Sequence, residues 1–207
     1  GHTDDVKIFR PISLTSILCK MLESIIKGRI FQHFEQHSLL SSRQHGFVRG
    51  RSCLTNLLTT VETMSKKLDR GENVEACSLD LSKAFDTVNH RYLIHKLEAY
   101  VVADNAMGWI RSFLCERTMQ VRVRDAVSNP APVTSGVPQG SVLGPLLFLI
   151  FINDMPEGMA NDCLLFADDI KIISSVERHQ SLQQDLDKVC HWAKSWDLSI
   201  NHLKSQH

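Results

Sequence analysis

The stretch that most limits what this chain can become is Phe166-Ala167-Asp168-Asp169. It follows the apolar run Cys163-Leu164-Leu165 and precedes Ile170-Lys171-Ile172-Ile173, which is rich in β-branched residues. Two short strand-like runs separated by a two-residue Asp-Asp step read as a β-hairpin with adjacent carboxylates at its tip. Placing like charges at the end of an apolar ribbon costs free energy unless a cation or a base neutralises them. Asp is also an ordinary turn residue. The tetrapeptide alone therefore suits a plain turn as well as a charged site, and the rest of the chain has to decide.

A length of 207 residues suits one sizeable domain or two small lobes. Hydrophobic residues make up 43% and charged residues 22%, a balance that supports a packed core and excludes a disordered chain. The formal net charge is zero, so a nucleic-acid partner must be held by local basic patches. The cysteines Cys19, Cys53, Cys77, Cys115, Cys163 and Cys190 lie far apart with no Cys-x-x-Cys pair. They read as reduced, mostly buried thiols of an intracellular protein, with neither a disulfide framework nor a cysteine zinc site. No secretory signal pattern is visible and no apolar run reaches about 18 residues, so no membrane partner is expected. The run from Val142 to Ile152, broken by Gly144 and Pro145, reads as a buried helix. The chain opens on Gly1 and stops at Gln206-His207 without a closing element, as a piece of something longer would.

Along the chain, Thr15 or Ser16 is placed to cap a helix running towards Gln36, with Ile17, Leu18, Met21, Leu22, Ile25, Ile26, Ile30 and Phe34 at helical spacing. A loop follows with Arg43, Gln44, Gly46, Arg49, Gly50 and Arg51. Glycines beside arginines let a backbone approach a phosphate while guanidinium groups bind it, although a solvated loop has the same composition. Ser52 opens a second amphipathic helix with Leu54, Leu57, Leu58, Val61, Met64 and Leu68 on the face expected to meet the core. Val74 to Leu81 reads as a strand ending at Asp80. Helices are expected near 90–100 and 105–116, a strand over Met119 to Arg124 with one apolar and one basic face, and a last helix near 177–196. Leu198-Ser199-Ile200 is a candidate final strand. Helices alternating with a hairpin-rich sheet give an α+β class.

If the strand ending at Asp80 neighbours the hairpin at Asp168-Asp169, carboxylates converge with no Cys or His among them. Oxygen ligands suit Mg²⁺, and a pair of such ions serves phosphoryl transfer. Further motifs stand in order around this constellation. They are Arg10-Pro11-Ile12-Ser13-Leu14; Gln44-His45-Gly46-Phe47; Leu79-Asp80-Leu81-Ser82-Lys83-Ala84-Phe85-Asp86; Ser135-Gly136-Val137-Pro138-Gln139-Gly140-Ser141; and Asn201 with Lys204. Together with Phe166-Ala167-Asp168-Asp169, over nearly the whole chain, they resemble the reverse-transcriptase domain of non-LTR (LINE-type, jockey-like) retrotransposons. Ser141-Val142-Leu143-Gly144 after Pro138-Gln139-Gly140 is similar to LINE elements rather than to group II intron or retron enzymes.

The resemblance implies a right-hand polymerase with fingers and palm, an antiparallel palm sheet packed on helices, and the thumb missing. Residues 1–73 would be mainly fingers and 74–207 mainly palm with a fingers insertion. It implies two Mg²⁺ ions, with Mn²⁺ able to substitute, held by Asp80, Asp168, Asp169 and the Leu81 carbonyl. It implies an RNA template, a DNA primer and a dNTP as partners. Phe85 would be the steric gate against a ribose 2′-OH. Gly136, Pro138, Gln139, Gly140 and Arg10 would face the incoming nucleotide, and Lys204 would protonate the pyrophosphate leaving group. Gln44, Gly46, Phe47, Arg49 and Arg51 would face nucleic acid. Phe9 stands where the family has Tyr, and Val48 where it has a basic residue. An intracellular ribonucleoprotein, nuclear or cytoplasmic, is the expected setting. Two rival readings use the same residues: a transposon-derived remnant that folds without synthesising DNA, and a metal-dependent nuclease.

Overall fold

The computed structural model describes residues 12–102, 104–115 and 117–206. Its centre is a three-stranded antiparallel sheet in the order β1-β7-β6, built from β1 (Val74–Asp80), β6 (Asp162–Phe166) and β7 (Asp169–Ser175). The register runs from Val74 opposite Ser175 to Asp80 opposite Asp169, and from Asp162 opposite Ile173 to Phe166 opposite Asp169. Both of the interior strand's partnerships therefore finish level at Asp169. β7 carries Ile170, Ile172 and Ile173, all buried, as a strand flanked on both sides requires.

Helices cover this sheet. α6 (Gly144–Ile152) is buried from Leu146 to Ile152, as an all-apolar helix must be. α4 (His90–Ala99) packs on α6 and on α5 (Asp104–Leu114), α7 (His179–Ser195) packs on β7, and α2 (Cys53–Asp69) packs on β6. Two further helices complete the set before α6: the long α1 (Ile17–Gln36), capped by Ser16 of the two candidate residues, and the single turn α3 (Ala84–Thr87). The α+β class with an antiparallel sheet packed on helices is thus met.

A buried lysine ties α4 to its neighbours. Lys96 Nζ donates to the Phe151 carbonyl at 2.6 Å and to the Asp154 carboxylate, and lies 3.8 Å from the Trp196 ring centroid. Burial pulls its pKa down to about 8 against the opposing pull of Asp154. Among the described residues all six cysteines are free, and no helix is long and apolar enough to cross a membrane.

Both open edges of the sheet are covered by irregular chain, which removes the hazard of unpaired backbone groups. On the β1 side, Leu81 bridges Ile200, Ser78 bridges Gln206, and the Asn201 amide donates to the Asp80 carbonyl at 2.8 Å. The expected final strand at 198–200 is reduced to these bridges. On the β6 side, Gln44 bridges Leu165 in parallel. The His45 amide donates to the Leu165 carbonyl and the Leu165 amide to the Arg43 carbonyl, each at 2.9 Å.

The faces turned inward by α1 and α2 differ from the expectation. On α2 the leucine face, Leu54, Leu57, Leu58, Val61 and Leu68, is exposed, whereas Asn56 and Thr60 are buried. The Asn56 side chain donates to the Leu165 carbonyl at 3.2 Å, Lys171 reaches the Thr60 hydroxyl at 3.5 Å, and Lys67 pairs with Asp162 at 3.1 Å. The polar side of the helix supplies what the sheet edge needs. On α1 only the C-terminal part of the apolar stripe is buried, at Ile30 and Phe34; Ile17, Leu18, Met21, Leu22 and Ile25 are exposed.

The expected strand over 119–124 is broken into exposed two-residue rungs: β2 (Thr118–Met119) with β5 (Ala131–Pro132), and β3 (Arg122–Val123) with β4 (Ala126–Val127). Arg124 turns the chain at φ 55°, so alternation there never finds a core to face.

A further buried charge holds α1 to α6. Glu23 is fully buried, and its Oε2 accepts from the Val142 amide at 2.7 Å and the Leu143 amide at 2.9 Å. These N–H groups stand immediately before α6, beside the partial positive charge of the helix start. Glu23→Ala leaves a buried and a half-buried donor without an acceptor and is expected to cost about 2–3 kcal/mol in urea unfolding. Glu23→Gln, which keeps an acceptor oxygen, should recover most of that loss. Equal urea midpoints for wild type and Glu23→Ala would refute the capping role.

Candidate active site

The hairpin at 166–169 turns one residue earlier than the Asp-Asp step suggests. Phe166 pairs with Asp169, so the two-residue loop is Ala167-Asp168 and Asp169 is the first residue of β7. Ala167 takes φ 55°, the left-handed conformation that the first loop position of a primed hairpin turn demands. For a residue with a Cβ this costs roughly 1 kcal/mol.

The strand order sets the charges. Asp80 and Asp169 lie directly opposite on β1 and β7. Directly opposed side chains on an antiparallel pair lie with Cβ atoms about 5 Å apart, where like charges repel. The Asp169 carboxyl is held above the usual carboxylate range, by burial first and by Asp80 second, with Lys204 and Lys171 pulling the other way. Asp80 is steadied from the C-terminal segment: Asn201 Nδ2 donates to its Oδ2 at 3.0 Å, and Lys204 Nζ stands 3.6 Å from the same oxygen.

Asp80, Leu81, Phe85, Pro138, Gln139, Gly140, Asp168, Lys204 and Phe47 line one cavity of about 850 Å³. The structure thus gathers residues from five separate motifs. Phe85 stacks on the buried Phe148 at a centroid distance of 4.2 Å and meets Phe47 edge-on at 6.2 Å, so its ring is a fixed wall of the cavity.

The loop 135–141 is seated on the chain just past Phe85. The Val137 amide donates to the Phe85 carbonyl and the Gly136 amide to the Val88 carbonyl, each at 2.8 Å. Gly136 has φ 86°, and a Cβ on it would come within 2.7 Å of the Asp86 carbonyl oxygen. It serves the seating of the loop rather than the cavity wall. Gln139 Nε2 donates to Asp86 Oδ1 at 2.8 Å. Asp86 and Lys83 also stand in the cavity wall, beyond the site residues expected from sequence. Asp86 holds Gln139 across 53 positions of chain, a separation at which sequence carries no pairing signal.

The expected nucleic-acid loop divides. Arg49 and Phe47 are exposed, and Phe47 reaches the cavity. Gln44 and Gly46 are buried against the hairpin, so they offer nothing to a nucleic acid. Arg51 turns inward and donates to the carbonyls of Ser41, Ser42 and Gln44, which makes it a brace for the loop. Arg10 lies outside the described residues.

The penalty on the Asp169 charge, from burial first and Asp80 second, has a measurable sign. A carboxyl whose folded pKa is raised binds its proton more tightly when folded, so stability is lost as pH climbs from the usual carboxylate value through the raised one. Asp169→Asn removes that loss. In a metal-free buffer with chelator it is expected to unfold at higher urea than wild type at pH 7, with the difference shrinking at pH 4. No advantage at pH 7 would show that the folded chain does not penalise the Asp169 charge.

Comparison with known proteins gives a consistent result. Residues 3–207 match the family described as reverse transcriptase (RNA-dependent DNA polymerase). The chain is 35% identical over 209 aligned residues to a probable RNA-directed DNA polymerase from transposon BS of Drosophila melanogaster, and equally so to the RNA-directed DNA polymerase from mobile element jockey of Drosophila funebris. Each alignment covers 95% of this chain and 23% of the relative, so the chain spans about a quarter of those proteins. Among solved structures, telomerase from Candida albicans superposes with a TM-score of 0.68 at 13% identity, over 91% of this chain and 35% of that one, a likeness of fold. The chain belongs to the reverse transcriptase (RNA-dependent DNA polymerase) family.

Proposed function

We propose that this chain carries the nucleotidyl-transfer centre of an RNA-directed DNA polymerase, extending a DNA primer 3′-OH with dNTPs along an RNA template. The observation that carries the reading is the shared cavity, in which two carboxylates, Asp80 at the end of β1 and Asp168 in the hairpin loop, face an aromatic wall and a glutamine-bearing loop. On this reading the segment ahead of β1 corresponds mainly to the fingers, and the sheet with α6 and α7 mainly to the palm.

The donors fit a hard divalent ion. Asp80, Asp168, Asp169 and the Leu81 carbonyl offer oxygen alone, and the opposed Asp80 and Asp169 charges call for a cation. Among the described residues no set of three His, Cys, Asp or Glu side chains is drawn together tightly enough to cage a metal. Mg²⁺ is commonly held by one or two carboxylates completed by substrate phosphates and water, which agrees with that arrangement. When bound, two Mg²⁺ ions, or Mn²⁺ in their place, would supply an activated attacking oxygen and charge neutralisation at the phosphates.

The chain's own residues do the rest. The Phe85 ring, fixed by Phe148, excludes a 2′-OH at the sugar and so selects deoxynucleotides. Gln139, oriented by Asp86, presents an amide to the nucleotide and template. Lys204 holds a proton beside Asp80, where it can pass to the departing pyrophosphate. Nucleic acid is recruited by local basic groups such as Arg49, since the net charge is zero.

The test is primer extension by the purified chain on an RNA template with Mg²⁺ and dNTPs. Wild type is expected to extend, and Asp168→Ala to lose at least about a thousandfold in rate. Phe85→Val is expected to admit ribonucleotides. Extension retained by Asp168→Ala would remove the metal site, and equal sugar discrimination in Phe85→Val would remove the gate. Synthesis absent from wild type, or degradation of nucleic acid without dNTPs, would favour the remnant or the nuclease reading.

A further inference from the structure

The hairpin tip must hold Asp168 in one direction although its first loop residue, Ala167, sits in a conformation that L residues avoid. What holds it comes from more than a hundred positions upstream. Gln44 is 2% exposed, and its side chain spans the Ala167 peptide groups on both sides: Oε1 accepts from the Ala167 amide at 2.9 Å, and Nε2 donates to the Ala167 carbonyl at 3.3 Å. The same Oε1 accepts from the Gly46 amide at 2.8 Å, which locks the side chain to its own loop. Gly46 lets that loop come close, since a Cβ there would stand 2.4 Å from the Ala167 nitrogen. The Arg51 guanidinium donates to the Gln44 carbonyl, and the parallel bridge to Leu165 fixes the Gln44 backbone.

An amide is the side chain suited to this place. It offers an acceptor and a donor in one plane, at the spacing of a peptide's own N–H and C=O. A carboxylate could serve only the N–H groups, and an ammonium only the carbonyl. Gln44 does not line the cavity, so it does not touch substrate.

We propose that Gln44 is a positioning residue: its buried amide pins the strained Ala167 peptide and thereby sets the direction of the Asp168 carboxylate. The importance of that direction rests on the polymerase reading; the pinning itself does not.

Gln44→Leu removes both bonds to Ala167 while keeping bulk, and Gln44→Glu keeps the acceptor as a milder variant should the first fail to fold. Hydrogen exchange at the amides of 167–169 reads the turn without any activity. Loss of Gln44 is expected to speed that exchange by about tenfold or more. Calorimetric Mn²⁺ binding should weaken several-fold, with Gln44→Glu intermediate. In primer extension, kcat is expected to fall about tenfold to a hundredfold while KM for dNTP stays within about twofold, because a misaimed group impairs chemistry more than binding. Ala167→Gly, added to Gln44→Leu, should recover part of the lost kcat by relieving the left-handed strain. Unchanged exchange at 167–169 alongside a lowered Tm would overturn the proposal in favour of a merely structural glutamine. A raised KM with unchanged kcat would overturn it in favour of a nucleotide contact. Faster exchange in a chain whose wild type makes no DNA would support the pinning and take down the polymerase reading instead.

Discussion

Two aspartates facing each other across one strand pair are the constraint on which the rest of this molecule depends. The β1–β7 register places Asp80 opposite Asp169, and a shift of one residue would send every side chain of a strand to the other face. The fold therefore has to enforce a register that brings like charges together. It does so with apolar weight on the same strands, since Ile170, Ile172 and Ile173 are buried in this alignment. The charged end is tolerated because Asn201 and Lys204 come up from the C-terminal segment to Asp80.

That arrangement explains why both edges of so small a sheet are covered by irregular chain rather than by further strands. On one side the covering segment delivers a cation and an amide to Asp80. On the other it delivers Gln44 to the hairpin turn. Covering an edge satisfies backbone groups, and here the same segments also carry the side chains that set the site. The cavity wall repeats the pattern: loop 135–141 is fixed through backbone bonds to Phe85 and Val88, and Gln139 is oriented through Asp86.

Much of this was legible from residue order. Helix starts at Ser16 and Ser52, the strand ending at Asp80, the hairpin at 166–169 and the buried run before Asn153 follow from capping residues, periodicity and apolar runs, all of which are local. The motifs that line the cavity were legible as well, because their residue types are chemically specific. What failed was the assignment of faces. Periodicity marks an apolar side on α2, yet the side that packs is the one carrying Asn56 and Thr60, because the sheet edge there needs donors and not hydrocarbon. Gln44 and Arg51 looked like ligand-binding residues in a glycine-rich loop, and the same polar groups turned out to satisfy the protein's own backbone.

The sequence by itself determined the α+β class, the elements and the chemical inventory of the site: oxygen donors without Cys or His, an aromatic beside them, and a Gly-Val-Pro-Gln-Gly loop. These are properties of residue type and near-neighbour spacing. Only the tertiary structure decided that Asp169 rather than Asp168 opposes Asp80, that Glu23 caps a helix 120 positions away, and that Gln44 holds the turn instead of a ligand. Each is a contact between segments distant along the chain, where the hydrogen-bonding demand of one surface selects the partner, and that demand exists only once the surface has formed.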